Sequence, residues 1–215
     1  MLEPAHIERA AARYLPAGRF AHGFARGKMK GDPAYAAVLR HLPESGCLVD
    51  VGCGEGHLLA LAHELRGGLR LFGVDHDHER VERGRQALGD AATLTVGDAR
   101  VCELPRAHAI ACLDVLHYLP EPEQDAVIQR LVDHLEPGGV LLIRDGASQD
   151  GLRSWVTTLS EKLAVATGRH KGDGVFFRPS EALRASMEAC GLTVEEAPCA
   201  DGTPFANRLY LGHAS

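Results

Sequence analysis

The ten residues Leu48-Val-Asp-Val-Gly-Cys-Gly-Glu-Gly-His57 constrain the fold more than any other part of the chain. An apolar run from Cys47 to Val51 meets glycines at 52, 54 and 56. A helical pattern (Leu58, Leu59, Leu61, Ala62, Leu65) begins at once. The order is strand, tight turn, helix. Glycines accept backbone angles that a Cβ resists and let a ligand approach the main chain, and the helix that follows offers unpaired N–H groups. In an open α/β sheet such a turn is a nucleotide or cofactor site. A dinucleotide fingerprint, G-x-G-x-x-G, needs its third glycine one residue later, where His57 stands. The spacing here is G-x-G-x-G, with Asp50 just ahead of it. A carboxylate in that place repels a pyrophosphate and suits a ligand that carries an ammonium group.

Strands are expected over 47–51, 69–74, 93–97, 108–113 and 139–144, and helices over 57–66, 77–88 and 121–135. In the last helix Ile128, Leu131, Val132 and Leu135 make an i, i+3, i+4, i+7 stripe. This alternation implies an α/β fold, a parallel sheet with helices on both faces. Two helices should precede it, over 5–14 and 34–42, the second opened by Asp32 as N-cap and Pro33 as its first residue. Between them Gly18–Gly31 is rich in glycine and basic residues and reads as a lid. Trp155, Val156, Leu159 and Leu163 give a later helix, and Leu183, Met187 and Cys190 another, ending at Gly191. The last strands would be 192–197 and 208–211. With no linker or repeat, the 215 residues form one domain: N-terminal helices and lid over 1–45, a cofactor core over 46–145 and a substrate side over 146–215.

The motif D-V-G-C-G-E-G resembles the first motif of class I S-adenosylmethionine-dependent methyltransferases, and the resemblance runs in order from about residue 45 to about residue 145. It implies a Rossmann-like, seven-stranded sheet in the order 3-2-1-4-5-7-6, with S-adenosylmethionine as cofactor and S-adenosylhomocysteine as product. It places the cofactor against Asp50, Gly52, Cys53, Gly54 and Gly56. Asp75, followed by His76, would take the two ribose hydroxyls, since a carboxylate only accepts. Gly97, Asp98 and Ala99 would hold adenine, and Leu113 and Asp114 would border the cofactor at the end of strand four. Taken singly, Asp75, Asp98 or Asp114 reads more readily as an ordinary loop acid or helix cap. Their register at successive strand ends favours the cofactor.

Methyl transfer is an in-line displacement, so the protein must chiefly align the nucleophile and exclude water. A hydroxyl nucleophile also benefits from a base. His117, a few residues beyond strand four, is the candidate base, because imidazole titrates near neutrality. An orienting hydrogen bond or a helix cap is the alternative role. Tyr118 would line the same pocket. Arg144 and Asp145 would bind a polar substrate group, or Asp145 would make only a surface ion pair or turn. Phe24 and Lys28 belong to the first lid. Phe177 and Arg178 belong to a second, 169–178, which is equally a loop packed on the core. Glu161 either faces the pocket or is an exposed helix acid, and Asn207 either meets substrate or caps a turn.

A net charge of −6 argues against general nucleic-acid binding. The loop Asp114-Val-Leu-His117 also differs from the Asn/Asp-Pro-Pro-Tyr/Phe type of base and glutamine methylation. Six cysteines without a C-x-x-C pair read as reduced and structural. Twelve scattered histidines form no metal motif. The early acids of the N-terminus do not read as a secretory signal, and no stretch has the length of a membrane span. A cytoplasmic protein without membrane, metal or nucleic-acid partner is expected. The sets F-A-R-G-K-M-K-G-D-P, D-V-L-H-Y-L-P and T-P-F-A-N look like methyltransferases of bacterial aryl-polyene and related pigment pathways. That resemblance implies methylation of a hydroxylated aromatic, at oxygen or at a ring carbon, either free or on an acyl carrier protein. Arg26, Lys28, Lys30, Lys171 and Arg178 would suit such an acidic partner. A nicotinamide-dependent oxidoreductase and a non-catalytic cofactor-binding module are the competing functions.

Overall fold

The computed structural model describes residues 2–146, 176–199 and 207–214. Three helices, α1 (Pro4–Ala12), α2 (Arg19–Gly31) and α3 (Pro33–Leu39), lead into an alternating unit. That unit runs β1 (Ser45–Val51), α4 (His57–Leu65), β2 (Gly68–Asp75), α5 (His78–Leu88), β3 (Thr93–Val96), β4 (Ala107–Leu113), α6 (Glu121–Asp133) and β5 (Leu135–Gly146). After residue 176 come α7 (Ser180–Ala189), β6 (Thr193–Pro198) and β7 (Asn207–His213). The seven strands make one sheet in the order β3-β2-β1-β4-β5-β7-β6. The first five pair in parallel, and β7 runs antiparallel to both β5 and β6. The expected α/β fold and strand order therefore stand. The helix expected around 155–163 lies outside the described residues.

Alternation along each strand divides the core in two. Leu48, Ala109, Ala111, Val140, Leu142, Leu209 and Leu211 face the layer made by α1–α5. Their neighbours Val49, Val51, Ile110, Cys112, Leu141, Ile143 and Tyr210 face α6 and α7. The same parity decides where the polar strand ends point. Asp50 and Arg144 continue the first set, and Asp145 continues the second. All six cysteines are free. Among the described residues no helix is long and apolar enough to cross a membrane.

Two elements differ from the sequence reading. Residues 19–31, read from the sequence as a glycine-rich lid segment without an assigned helix, are a helix. Ala25 and Met29 are buried on one side, while a Cβ at Gly23, Gly27 or Gly31 would meet nothing within 4 Å. Packing of one face thus outweighs the weak helix propensity of glycine, about 1 kcal/mol each. Strand β5 begins early, at Leu135, with a register shift against β4 between Ala107 and Ala109. The Pro137-Gly138 turn lies inside that irregular start, where Gly138 has φ +72°.

Candidate active site

The turn after β1 is stitched to the end of β2. Gly52 and Cys53 both donate their N–H to the Val74 carbonyl, at 2.8 and 3.0 Å. The Gly54 N–H donates to Asp75 Oδ2 at 2.8 Å, and Asp77 N–H to Asp75 Oδ1 at 2.9 Å. Asp75 thereby fixes the loop and still has a second lone pair on each oxygen. Gly52 has φ +78°, which glycine tolerates, and a Cβ there would run into Val115 Cγ2. The loop therefore lies directly on the segment that follows β4. At Gly54 the space is open, with only Arg80 Cδ at 4.0 Å. No side chain caps α4, so its first N–H groups stay available to a ligand.

Asp50 lies behind this loop and is 4% exposed. Burial, and then the Asp75 charge, push its pKa up to about 7. A buried carboxylate that costs so much to ionise suits a cationic guest. His57 packs its ring on Tyr14 (5.0 Å) and Phe24 (5.9 Å). Burial lowers its pKa to about 4, so it is neutral at pH 7. Beyond β2, His76 is mostly exposed, with Nδ1 3.4 Å from Asp75 Oδ1. Gly97 N–H donates to the Asp75 carbonyl at 2.9 Å, which sets Gly97, Asp98 and Ala99 beside the β2 end. Asp98 accepts from the Arg100 N–H and pairs with its guanidinium, 2.5 Å at the closest.

The second half of the site grows from the ends of β4 and β5. Leu113 closes β4, and Asp114 follows with φ +58° and donates its N–H to the Arg144 carbonyl at 2.9 Å. One helical turn, Leu116–Tyr118, then carries His117, which is buried. Asp145 holds it twice. Oδ2 accepts the His117 main-chain N–H at 3.0 Å, and Oδ1 lies 2.6 Å from His117 Nδ1. Gly146 N–H adds a third bond to Oδ1 at 2.7 Å. Burial pulls the imidazole pKa down, but the Asp145 charge and hydrogen bond outweigh it and raise it above 6.5. Nε2 is left on the other side of the ring. Tyr118 and Phe177 stand against the imidazole, with centroids at 4.3 and 5.0 Å.

Several expectations need correction. Asp145 is not a surface ion pair. It is 5% exposed and orients His117. Arg144 is not open to a substrate, being 4% exposed. Its guanidinium pairs with Asp114 through Nε and Nη2, and with Asp32 through Nη1 and Nη2. Strand parity separates the two neighbours: Arg144 points to the N-terminal layer and Asp145 to the His117 turn. Lys28 is engaged with Asp32, 2.7 Å away, and Phe24 reaches only the His57 end of the site. Arg178 turns away to Asp125 (2.5 Å) and Ser186 Oγ (2.9 Å), so it serves to anchor α7 on α6. Asn207 opens β7 opposite Gly146, and its carbonyl accepts from Cys199 N–H at 2.9 Å. Glu161 lies outside the described residues. The sequence reading missed Asp32 as an ion partner, although its place as a helix cap was clear: its Oδ1 accepts the Ala34 N–H at 3.0 Å. Among the described residues no group of three potential ligands could hold a metal.

The profile of a family described as "Methyltransferase domain" matches residues 22–197. A carboxy-S-adenosyl-L-methionine synthase from Chromohalobacter salexigens is 34% identical over 128 residues, covering 53% of this chain and 47% of the relative. The chain spans about half the length of the first curated relatives it matches. Among solved structures, an O-methyltransferase family protein from Burkholderia thailandensis superposes with a TM-score of 0.67 at 20% identity, over 95% of this chain and 62% of the other. Magnesium protoporphyrin IX methyltransferase from Synechocystis, with S-adenosylhomocysteine bound, gives 0.66 at 20% identity, over 92% and 88%.

Proposed function

The chain belongs to the class I S-adenosylmethionine-dependent methyltransferases, and from that premise we propose that it methylates a hydroxylated aromatic small molecule, at oxygen before ring carbon. The observation that carries this reading is the buried His117–Asp145 pair, flanked by Tyr118 and Phe177, at the strand ends next to the glycine turn. Two aromatic faces beside a base suit a flat acceptor. Asp50 would meet the ammonium end of the cofactor, Asp75 the ribose hydroxyls, and Gly97, Asp98 and Ala99 the adenine. S-Adenosylmethionine supplies a methyl already activated on a sulfonium. His117 would take the acceptor hydroxyl proton on Nε2, while Asp145 keeps Nδ1 protonated and stabilises the imidazolium. Presentation of the acceptor on an acyl carrier protein in a pigment pathway is the finer form of the proposal, and a reducing cytoplasm suits six free cysteines.

Transfer of labelled methyl from S-adenosylmethionine to a panel of phenolic acids, their esters and their carrier thioesters tests the reading. A labelled methyl ether or C-methyl product is expected. No transfer to any member, together with no calorimetric binding of S-adenosylhomocysteine, would remove it. Asp75→Ala should weaken S-adenosylhomocysteine about 100-fold, from the loss of two hydrogen bonds to a charged acceptor. An unchanged dissociation constant would show that the ribose lies elsewhere.

Asp50 makes the same affinity depend on pH. Its folded pKa is near 7, against about 4 in the unfolded chain, so ionising it costs stability as pH rises through that window. A ligand ammonium favours the ionised form. Binding below pH 7 should therefore expel a proton, and affinity should fall by up to about tenfold per pH unit. Calorimetry at pH 6 in buffers of different ionisation enthalpy reads this directly. Enthalpies that do not vary with buffer would contradict it.

A further inference from the structure

Gln124, in the first turns of α6, is 2% exposed and belongs to no motif. Its amide makes two hydrogen bonds from one nitrogen. Nε2 donates to the Leu119 carbonyl at 2.8 Å and to the Phe176 carbonyl at 2.9 Å. Leu119 closes the turn that carries His117, its N–H bonded to the Leu116 carbonyl at 2.8 Å. Phe176 N–H donates to the His117 carbonyl at 2.7 Å. Both N–H groups of one buried amide are thus spent on tying residues 176–177 to the His117 turn. Phe177, the next residue, lays its ring 5.0 Å from the imidazole and 31° from its plane. The same ring covers Gly146, where a Cβ would come within 2.7 Å of Phe177 Cε1.

We propose that Gln124 is a positioning residue for methyl transfer, holding Phe177 against His117 and so fixing one wall of the acceptor site. A buried amide whose donors are both used is costly to replace by a group that cannot donate. The two carbonyls it serves lie on the two segments that must stay together. Phe176 is itself 38% exposed, so burial of its own ring does little to hold this stretch down. The inference rests on His117 being the base, and it concerns the acceptor half of the site only. The side-chain hydrogen bonds of Gln124 go to Leu119 and Phe176, on the acceptor side, so cofactor affinity should not respond to it.

The test is a double-mutant cycle with Gln124→Met, which keeps length and removes both donors, and Phe177→Ala. Each single variant should raise the acceptor KM about tenfold or more and leave S-adenosylhomocysteine affinity within about twofold. The double variant should lose little beyond either single one, because both changes remove the same wall. Gln124→His, which retains one donor, should recover part of the loss. Additive losses, or a fall in cofactor affinity equal to the rise in acceptor KM, would overturn the proposal. A second measurement needs no acceptor: the nuclear Overhauser contact between the His117 and Phe177 rings in the S-adenosylhomocysteine complex. It should be present in the wild type and absent in Gln124→Met. Its persistence in the variant would also overturn the assignment. If no acceptor is methylated, that contact still decides the role of Gln124, while the methyl-transfer reading falls by itself. Should Gln124→Met fail to fold, Gln124→His alone decides, with an unchanged ring contact and KM the overturning result.

Discussion

Replacing His117 with alanine should lower turnover by about 10²–10⁴-fold, the usual contribution of a placed general base. Affinity for S-adenosylhomocysteine should barely change, since the His117 ring is engaged with Asp145, Tyr118 and Phe177. A variant that keeps full turnover would reduce His117 to a structural role. The pH profile carries the finer information. On the proposed role the reactive form of His117 is the neutral imidazole, and Asp145 raises its pKa above the ordinary value. Activity should therefore rise with pH through a midpoint above that value. Asp145→Asn should move the midpoint down and lower the plateau as well, because an amide cannot stabilise the imidazolium. A midpoint that stays in place would mean that Asp145 does not govern the ring. The same pair links stability to pH with a definite sign. A histidine whose folded pKa is raised contributes stability that is fully present below its unfolded value, and that contribution is lost as pH rises through the folded one.

Arg144→Met should cost about 3–5 kcal/mol of stability, as when one member of a buried ionic cluster is removed. Arg144 is 4% exposed and pairs with Asp32 and Asp114 at once, the second cation of the cluster being Lys28. Without it, among the described residues, Asp114 loses its paired cation and Asp32 keeps Lys28. For a chain of this size the melting temperature should fall by about 10 °C. Thermal unfolding followed by calorimetry measures this. Adding Asp114→Asn should return part of the loss, since it removes one of the stranded charges. A melting temperature within two or three degrees of the wild type, on the order of 1 kcal/mol, would show that the cluster only breaks even.

The cofactor half of this molecule was legible because it is local. Strand, turn and helix follow one another over twenty residues, and Asp75 and Asp98 come at the same place in successive repeats of that pattern. The order of the seven strands followed from the family resemblance, not from periodicity. The proposed acceptor half was less legible because it is assembled from distant positions. His117 meets Asp145, 28 residues away, and Arg144 meets Asp32, 112 residues away. Neighbouring residues 144 and 145 serve opposite faces of the sheet, which the alternation of a strand would have revealed once its register was known. Gln124 carries no sequence signal at all. It reads as one more polar residue on an amphipathic helix until the carbonyls it serves are seen. Helix α2 was obscured by its glycines, whose cost is borne by Ala25 and Met29.

Asp32 does three things in one place: it ends α2, caps α3 and holds Arg144. The three leading helices are therefore not a detachable accessory. A chain shortened to begin at β1 would uncover Arg144, leave it paired with Asp114 alone and strip Tyr14 and Phe24 from His57. It would behave as a damaged protein, not as a smaller catalytic core. Exchange of this N-terminal portion between related enzymes, an obvious route to new acceptor preference, would succeed only where the donor segment brings an acid to the position of Asp32. The recipient must in turn keep the arginine at the end of its fifth strand. The unit of modular exchange in this protein is the helices together with that strand end.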